Sequence, residues 1–85
     1  MDQKNKLYVG NLSYDIDNER LSSMFSEYGE IKEATVIMDR LTNKSKGFGF
    51  VTFANDEDAD KAVRELDGKE IQGRNLKVNV AKPRI

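Results

Sequence analysis

The residues of this 85-residue chain best equipped for chemistry lie in one stretch, Lys46-Gly47-Phe48-Gly49-Phe50-Val51-Thr52-Phe53. A strand has a period of two, so Lys46, Phe48, Phe50 and Thr52 share one face while Gly47, Gly49, Val51 and Phe53 share the other. With Val51 and Phe53 turned to a core, two phenyl rings and an ammonium group stand together on the opposite face. The open face of an antiparallel sheet normally reads polar. This one reads aromatic and basic, which suits a ligand made of flat rings and negative charge. The glycines on either side of Phe48 weaken a strand and usually mark a close approach by something else. The competing reading buries Phe48 and Phe50 under a helix or a partner chain. Against it, Lys6-Leu7-Tyr8-Val9-Gly10-Asn11-Leu12 repeats the pattern, with Lys6 and Tyr8 on one side and Leu7 and Val9 on the other.

Composition removes most other chemistries. The chain has no cysteine and no histidine, so disulfides, thiolate metal sites, the usual zinc ligands and the commonest general base are unavailable. Only carboxylates, lysines and tyrosines could run a reaction, and no clustered carboxylate pair stands out. The start, Met1-Asp2-Gln3-Lys4-Asn5-Lys6, has no apolar run behind its lysines, and no stretch is long and apolar enough to cross a bilayer. The expectation is a soluble intracellular protein with no membrane partner, in which the sequons at Asn11 and Asn43 are chance matches. Net charge is −1, but the charge is unevenly spread. Residues 13–33 hold six acids and two bases, and residues 55–70 hold seven acids and three bases, whereas Arg74, Lys77, Lys82 and Arg84 close the chain without an acid. Arg40, Lys44 and Lys46 form a second acid-free run. If the acidic blocks are helices on one side of a sheet, the asymmetry is spatial and the average hides it.

The elements that must position the two aromatic strands follow in order. Asp17 is an N-cap, with Ile16 and Leu21 as a hydrophobic staple. Leu21, Met24, Phe25 and Tyr28 then form the apolar stripe of a first helix closed by Gly29. Ile31 to Met38 is a strand with Ala34 and Val36 inward and Glu33, Thr35 and Ile37 on the face of Tyr8. A polar hairpin loop, Asp39 to Ser45, follows, with Asn43 as its left-handed residue. After the central strand, Asn55 caps a second helix rich in carboxylates in its first turn, with Ala59, Ala62, Val63 and Leu66 inward and Gly68 as its stop. Glu57 with Lys61 and Asp60 with Arg64 are i, i+4 pairs on its solvated side. Ile71 plugs the end of the core. Arg74 to Ala81 is the last strand, with Leu76 and Val78 inward and Lys77 and Asn79 outward. The order is the split βαβ arrangement, an α+β ferredoxin-like βαββαβ fold with two helices on one face of a four-stranded antiparallel sheet. Little of the chain is left to cover the other face.

Lys46 to Phe53 fits every defined position of the octamer of the RNA recognition motif family, and Leu7 to Leu12 resembles that family's companion hexamer. The resemblance spans about Lys6 to Pro83 and implies one domain over residues 1–85. It implies that Tyr8 and Phe50 each stack a base, that Phe48 lies against the riboses between them and that Lys46 meets a phosphate. Single-stranded RNA is the implied partner, with single-stranded DNA also open; duplex RNA is a poor fit because its bases are already stacked. Asn79, Lys77, Ala81, Lys82 and Arg84, at the strand end and tail, are candidates for contacts to base edges. Lys6 edges the platform, Thr35 and Ile37 offer van der Waals contact, and Asn11 stands at the end of the first strand, where bonding the loop backbone explains it as well. The segments Gly10 to Tyr14 and Lys44 to Gly47 are similar to those of small glycine-rich or cold-inducible RNA-binding proteins. That similarity implies post-transcriptional regulation or RNA chaperoning.

Three rival readings are weaker. A peptide-binding module of the same fold would use the helical face and an Arg-x-Phe motif, but the chain has Arg74-Asn75-Leu76 there and keeps its aromatic face. A nucleotide-binding enzyme would need a glycine-rich turn entering a helix, whereas Gly47-Phe48-Gly49 lies within a strand. Dimerisation through the sheet would bring Lys6, Lys46 and Lys77 against their symmetry mates, so a monomer is expected. No enzyme activity, cofactor or metal is expected, and the cytoplasm is the expected compartment, with the nucleus open in a eukaryotic host.

Overall fold

Val9 and Val51 on the two innermost strands are fully buried, and the elements gather around them. The computed structural model describes residues 5–71 and 73–81. Strands β1 (Lys6–Gly10), β2 (Ile31–Met38), β3 (Ser45–Phe53) and β6 (Lys77–Val80) form one antiparallel sheet in the order β2-β3-β1-β6. Helices α1 (Asn18–Ser26) and α2 (Asp56–Leu66) follow β1 and β3. Leu21 and Phe25 of α1, and Ala59, Ala62 and Leu66 of α2, join Leu7, Val9, Val36, Val51, Phe53, Leu76 and Val78 of the sheet side in a single core. Phe25 meets Phe53 edge to face, ring centroids 6.2 Å apart, the geometry that aromatic quadrupoles favour. The fold expected from the order of elements is the one observed.

Local signals explain most element ends. The Asp17 carboxylate accepts a bond from the Arg20 backbone N–H at 2.8 Å, satisfying one of the orphan donors of α1. Ile16 and Leu21 are both buried around that cap, as the staple requires. In the β2-β3 hairpin Asn43 takes the expected left-handed conformation at φ 60°. The Asp39 carboxylate there accepts from the Leu41 N–H at 2.8 Å.

Four local expectations change. Gly29 does not end α1 through a left-handed cap: Glu27 occupies the C-cap position, and Gly29 is absent from the positive-φ residues. A side chain at Gly29 would instead strike the Asp58 carboxylate of α2. Asn55 holds the N-cap position of α2 with extended backbone, but its side chain makes no capping bond and donates to Asp58 at 3.4 Å. Of the two i, i+4 pairs, Asp60 and Arg64 close at 2.6 Å; Glu57 and Lys61 do not form an ion pair among the described residues. The expected strand Arg74 to Ala81 is two. β5 (Arg74–Asn75) pairs with β4 (Glu70–Ile71) in a separate ribbon, and only β6 joins the main sheet. The break falls at Leu76, whose N–H donates to Lys69 and whose carbonyl accepts from Gly68, at 2.9 and 2.7 Å. Before Leu76 the chain pairs with β4, and after it with β1.

Candidate nucleic-acid interface

Register fixes which side chains share the open face. Thr35 pairs with Phe50, Phe50 with Tyr8, and Tyr8 with Asn79, so these four form one row across all four strands. Directly opposed residues of antiparallel strands point to the same side. The next row holds Glu33, Thr52 and Lys6, and on the far side of Tyr8 Lys77 pairs with Gly10. Phe48 lies two residues from Phe50 on the same face.

The three rings form a triangle. Tyr8 lies 5.9 Å from Phe48 and 5.9 Å from Phe50, centroid to centroid, and Phe48 lies 6.3 Å from Phe50. Interplanar angles of 34°, 65° and 89° show tilted and edge-to-face contacts. Each ring is therefore half-buried by its neighbours and open to solvent on its remaining surface. The Lys6 ammonium sits 5.1 Å from the Phe50 centroid, within range for attraction to the ring face. Lys46, Lys77 and Asn79 are exposed around the rings, and Thr35 and Ile37 are half-buried at the β2 side. A β-bulge between Val36 and Met38 displaces the end of β2. Glu33, exposed and paired with Thr52, puts a carboxylate on this face at its far edge from Phe48.

Each glycine near the rings answers to a different neighbour. An ideal Cβ on Gly49 would strike the Thr35 carbonyl oxygen and come within 3.0 Å of Val36 Cα and 3.2 Å of Leu21 Cδ2. The close approach there is by β2 and α1 on the core side. Gly47 has φ +85°, and its Cβ would lie 3.3 Å from Tyr14 Cε1. The two glycines do mark close approaches, as expected, but it is the chain itself that makes both. Gly10 is the glycine that serves the rings. A Cβ there would stand 2.7 Å from Tyr8 Oη and 2.9 Å from its Cε2, so the missing side chain lets the Tyr8 ring lie along β1. The position of Gly10 two residues from Tyr8 on the same strand face is the sequence signal for this contact.

The remaining candidates divide. Asn11 has φ 59° and donates from Nδ2 to the Asn75 carbonyl at 2.8 Å, while Arg74 approaches its Oδ1 at 3.5 Å. Its amide bonds a distant ribbon rather than its own loop. Ala81 is half-buried, its N–H donating to the Lys6 carbonyl at 2.8 Å. Lys82 and Arg84 lie outside the described residues. In the β1-α1 loop the Ser13 hydroxyl donates to Asp15 and, with a backbone bond next, holds that exposed carboxyl below its ordinary value. Among the described residues no group of histidines, cysteines and carboxylates could hold a metal ion, and no helix is long and apolar enough to cross a membrane.

Comparison with known proteins agrees with this geometry. The family model described as RNA recognition motif matches residues 7–77. The chain is 49% identical over 79 residues to the glycine-rich RNA-binding protein 4, mitochondrial, of Arabidopsis thaliana, covering 93% of this chain and 58% of that protein. It therefore spans less than two thirds of that relative. Among solved structures, the RNA-binding protein PG1 matches with a TM-score of 0.88 at 44% identity, covering 94% of this chain and 96% of the other. The Sex-lethal protein/RNA complex matches with a TM-score of 0.88 at 31% identity, covering 93% of this chain and 48% of the other.

Proposed function

The chain belongs to the RNA recognition motif family, and from that premise we propose that it binds single-stranded RNA on the open face of its sheet. The observation that carries the reading is the triangle of half-exposed rings Tyr8, Phe48 and Phe50 with Lys6 and Lys46 at its margin. A base stacked on an aromatic side chain is worth about 1–3 kcal/mol whatever its identity. Tyr8 and Phe50 each take a base, Phe48 lies against the riboses between them, and Lys46 meets a phosphate. The three rings are edge-to-face or tilted, so they offer separate surfaces rather than one continuous stack.

Lys77, Asn79 and the Ala81 carbonyl, with Lys82 and Arg84 of the tail, read base edges and backbone. Thr35 and Ile37 extend the contact surface toward β2. Asn11 acts indirectly, holding β5 against the end of β1. The site takes a run of about two to four nucleotides. About two to four phosphate contacts give a moderate salt slope, log K falling by roughly 0.7 per contact for each log unit of salt. Single-stranded DNA offers the same π-faces and phosphates and is a weaker second ligand.

Residues 1–85 act as one RNA-binding domain, non-enzymatic, monomeric and without a cofactor, in post-transcriptional regulation or as an RNA chaperone. We place it inside the cell and, within it, in the cytoplasm; a relative named as mitochondrial supports the first of these. The test is amide chemical-shift mapping by NMR during titration with a short single-stranded RNA. Shifts concentrated on β1, β3, β6 and the residues that follow β6 are expected. Shifts confined to α1 and α2 would overturn the reading in favour of the peptide-binding one.

A further inference from the structure

The sheet has one end where exposed apolar side chains and cations coincide. Because β1 and β2 both run antiparallel to β3, and β6 antiparallel to β1, the ends of β1 and β2 and the starts of β3 and β6 lie together. Among the described residues, Tyr14, Met38 and Leu41, all at this end, are the large apolar side chains most exposed to solvent, at 67%, 50% and 95%. Arg40, Lys44, Lys46, Arg74 and Lys77 are exposed there too. The carboxylates nearest in sequence are engaged locally, Asp15 by Ser13 and Asp39 by the Leu41 N–H.

Tyr14 differs from its two apolar neighbours in being held. The Arg74 guanidinium lies over its ring, 5.5 Å from the centroid. One edge of the ring rests where Gly47 lacks a side chain. Asn11 ties the backbone carrying Arg74 to the end of β1 through Asn75. Two features of the sequence that the sheet platform does not use, a left-handed glycine at 47 and a left-handed asparagine at 11, thus fix the setting of one ring. Yet Tyr14 as a residue remains largely exposed, so burial does not explain the arrangement. A positioned, open aromatic face beside a guanidinium is what an unpaired base and its phosphate would engage.

We propose that Tyr14 is a further stacking site for one base of the bound single strand, beyond those on the sheet, with Arg74 setting the ring plane and meeting the adjoining phosphate. The inference rests on the sheet-platform reading above. Gly47, against which the Tyr14 ring rests, stands between Lys46 and Phe48 on β3, so the ring adjoins the end of the sheet at which the platform finishes.

The experiment is a fluorescence-anisotropy titration with labelled oligouridines of about three and about eight nucleotides, the shorter filling only a platform of two or three bases. Wild type, Tyr14→Ala, Tyr14→Phe and Tyr8→Ala/Phe50→Ala are compared, each checked for a cooperative thermal transition. In Tyr14→Ala the advantage of the eight-mer over the three-mer falls by about fivefold or more, the loss of one stacked base. Tyr14→Phe keeps the ring and keeps the advantage. An unchanged ratio in Tyr14→Ala would overturn the inference, as would a loss equal on both lengths, the signature of a disturbed loop. A three-mer that binds Tyr8→Ala/Phe50→Ala as well as wild type would be read separately, as failure of the platform itself, and would remove the inference with it.

Discussion

Strand β3 carries aromatic rings on both of its faces, and the two sets meet opposite fates. On one side Phe53 is fully buried and packs edge to face on Phe25 of α1. On the other, Phe48 and Phe50 lean on each other and on Tyr8, with no helix over them. Residue type and strand are the same; what differs is parity. A one-residue slip of register would exchange the sets, and two features oppose it. Gly49 admits β2 and α1 only on its own side, and Val51 and Val36 are buried on that same side. Rings that stabilise the fold and rings available to a ligand are thus separated by one residue.

Four substitutions sharpen that contrast. The largest effect belongs to Phe53→Ala, which leaves a cavity against Phe25 and costs about 3–5 kcal/mol. In a domain of this size the thermal midpoint should fall by about 12 °C or more, measurable by circular dichroism; a shift as small as that of an exposed residue would put Phe53 outside the core. Gly49→Ala comes next. The added methyl meets the Thr35 carbonyl and Leu21, and overpacking of this kind costs about 1–3 kcal/mol. Chemical denaturation reads that loss, and a neutral result would mean that β2 and α1 yield easily at this point.

On the open face, Lys46→Ala should leave stability nearly unchanged and lower the slope of log K against log salt by roughly 0.7. An unaltered slope would take Lys46 off the phosphate path. The smallest effect is that of Ser13→Ala. Because the Ser13 bond depresses the Asp15 carboxyl in the folded state, its contribution is fully present above the unfolded value and is lost as pH falls through the folded one. Removing the hydroxyl should slightly lower stability at neutral pH and make the acid limb of the stability profile shallower. A steeper acid limb would contradict that sign.

Much of this was legible from period alone. The alternation in Lys46 to Phe53 and Lys6 to Leu12 separated core from surface residues, and Asp17, Asn43 and the α1 stripe behave as their types suggest. The missed features depend on residues far apart in the chain. Leu76 divides the last strand because Gly68 and Lys69 claim its backbone, a partnership no local pattern announces. Asn11 looks like a loop-former, yet its bond reaches Asn75. Gly29 reads as a helix stop, but the residue that needs its bareness, Asp58, belongs to the other helix. Tyr14 sits in an irregular loop where no periodicity assigns a face, so neither its exposure nor its contact with Arg74 could be read in advance.

The decisive measurement is the affinity of single-stranded RNA for wild type and for Tyr8→Ala/Phe50→Ala, titrated by fluorescence anisotropy at two salt concentrations. Both substitutions lie on the open face, so the double variant should remain folded by circular dichroism. If the rings bind bases, it loses at least about tenfold in affinity at both salt concentrations while the salt slope persists, since stacking is lost and the lysines remain. Equal affinity for a folded double variant would contradict the separation of the two faces into one for stability and one for RNA.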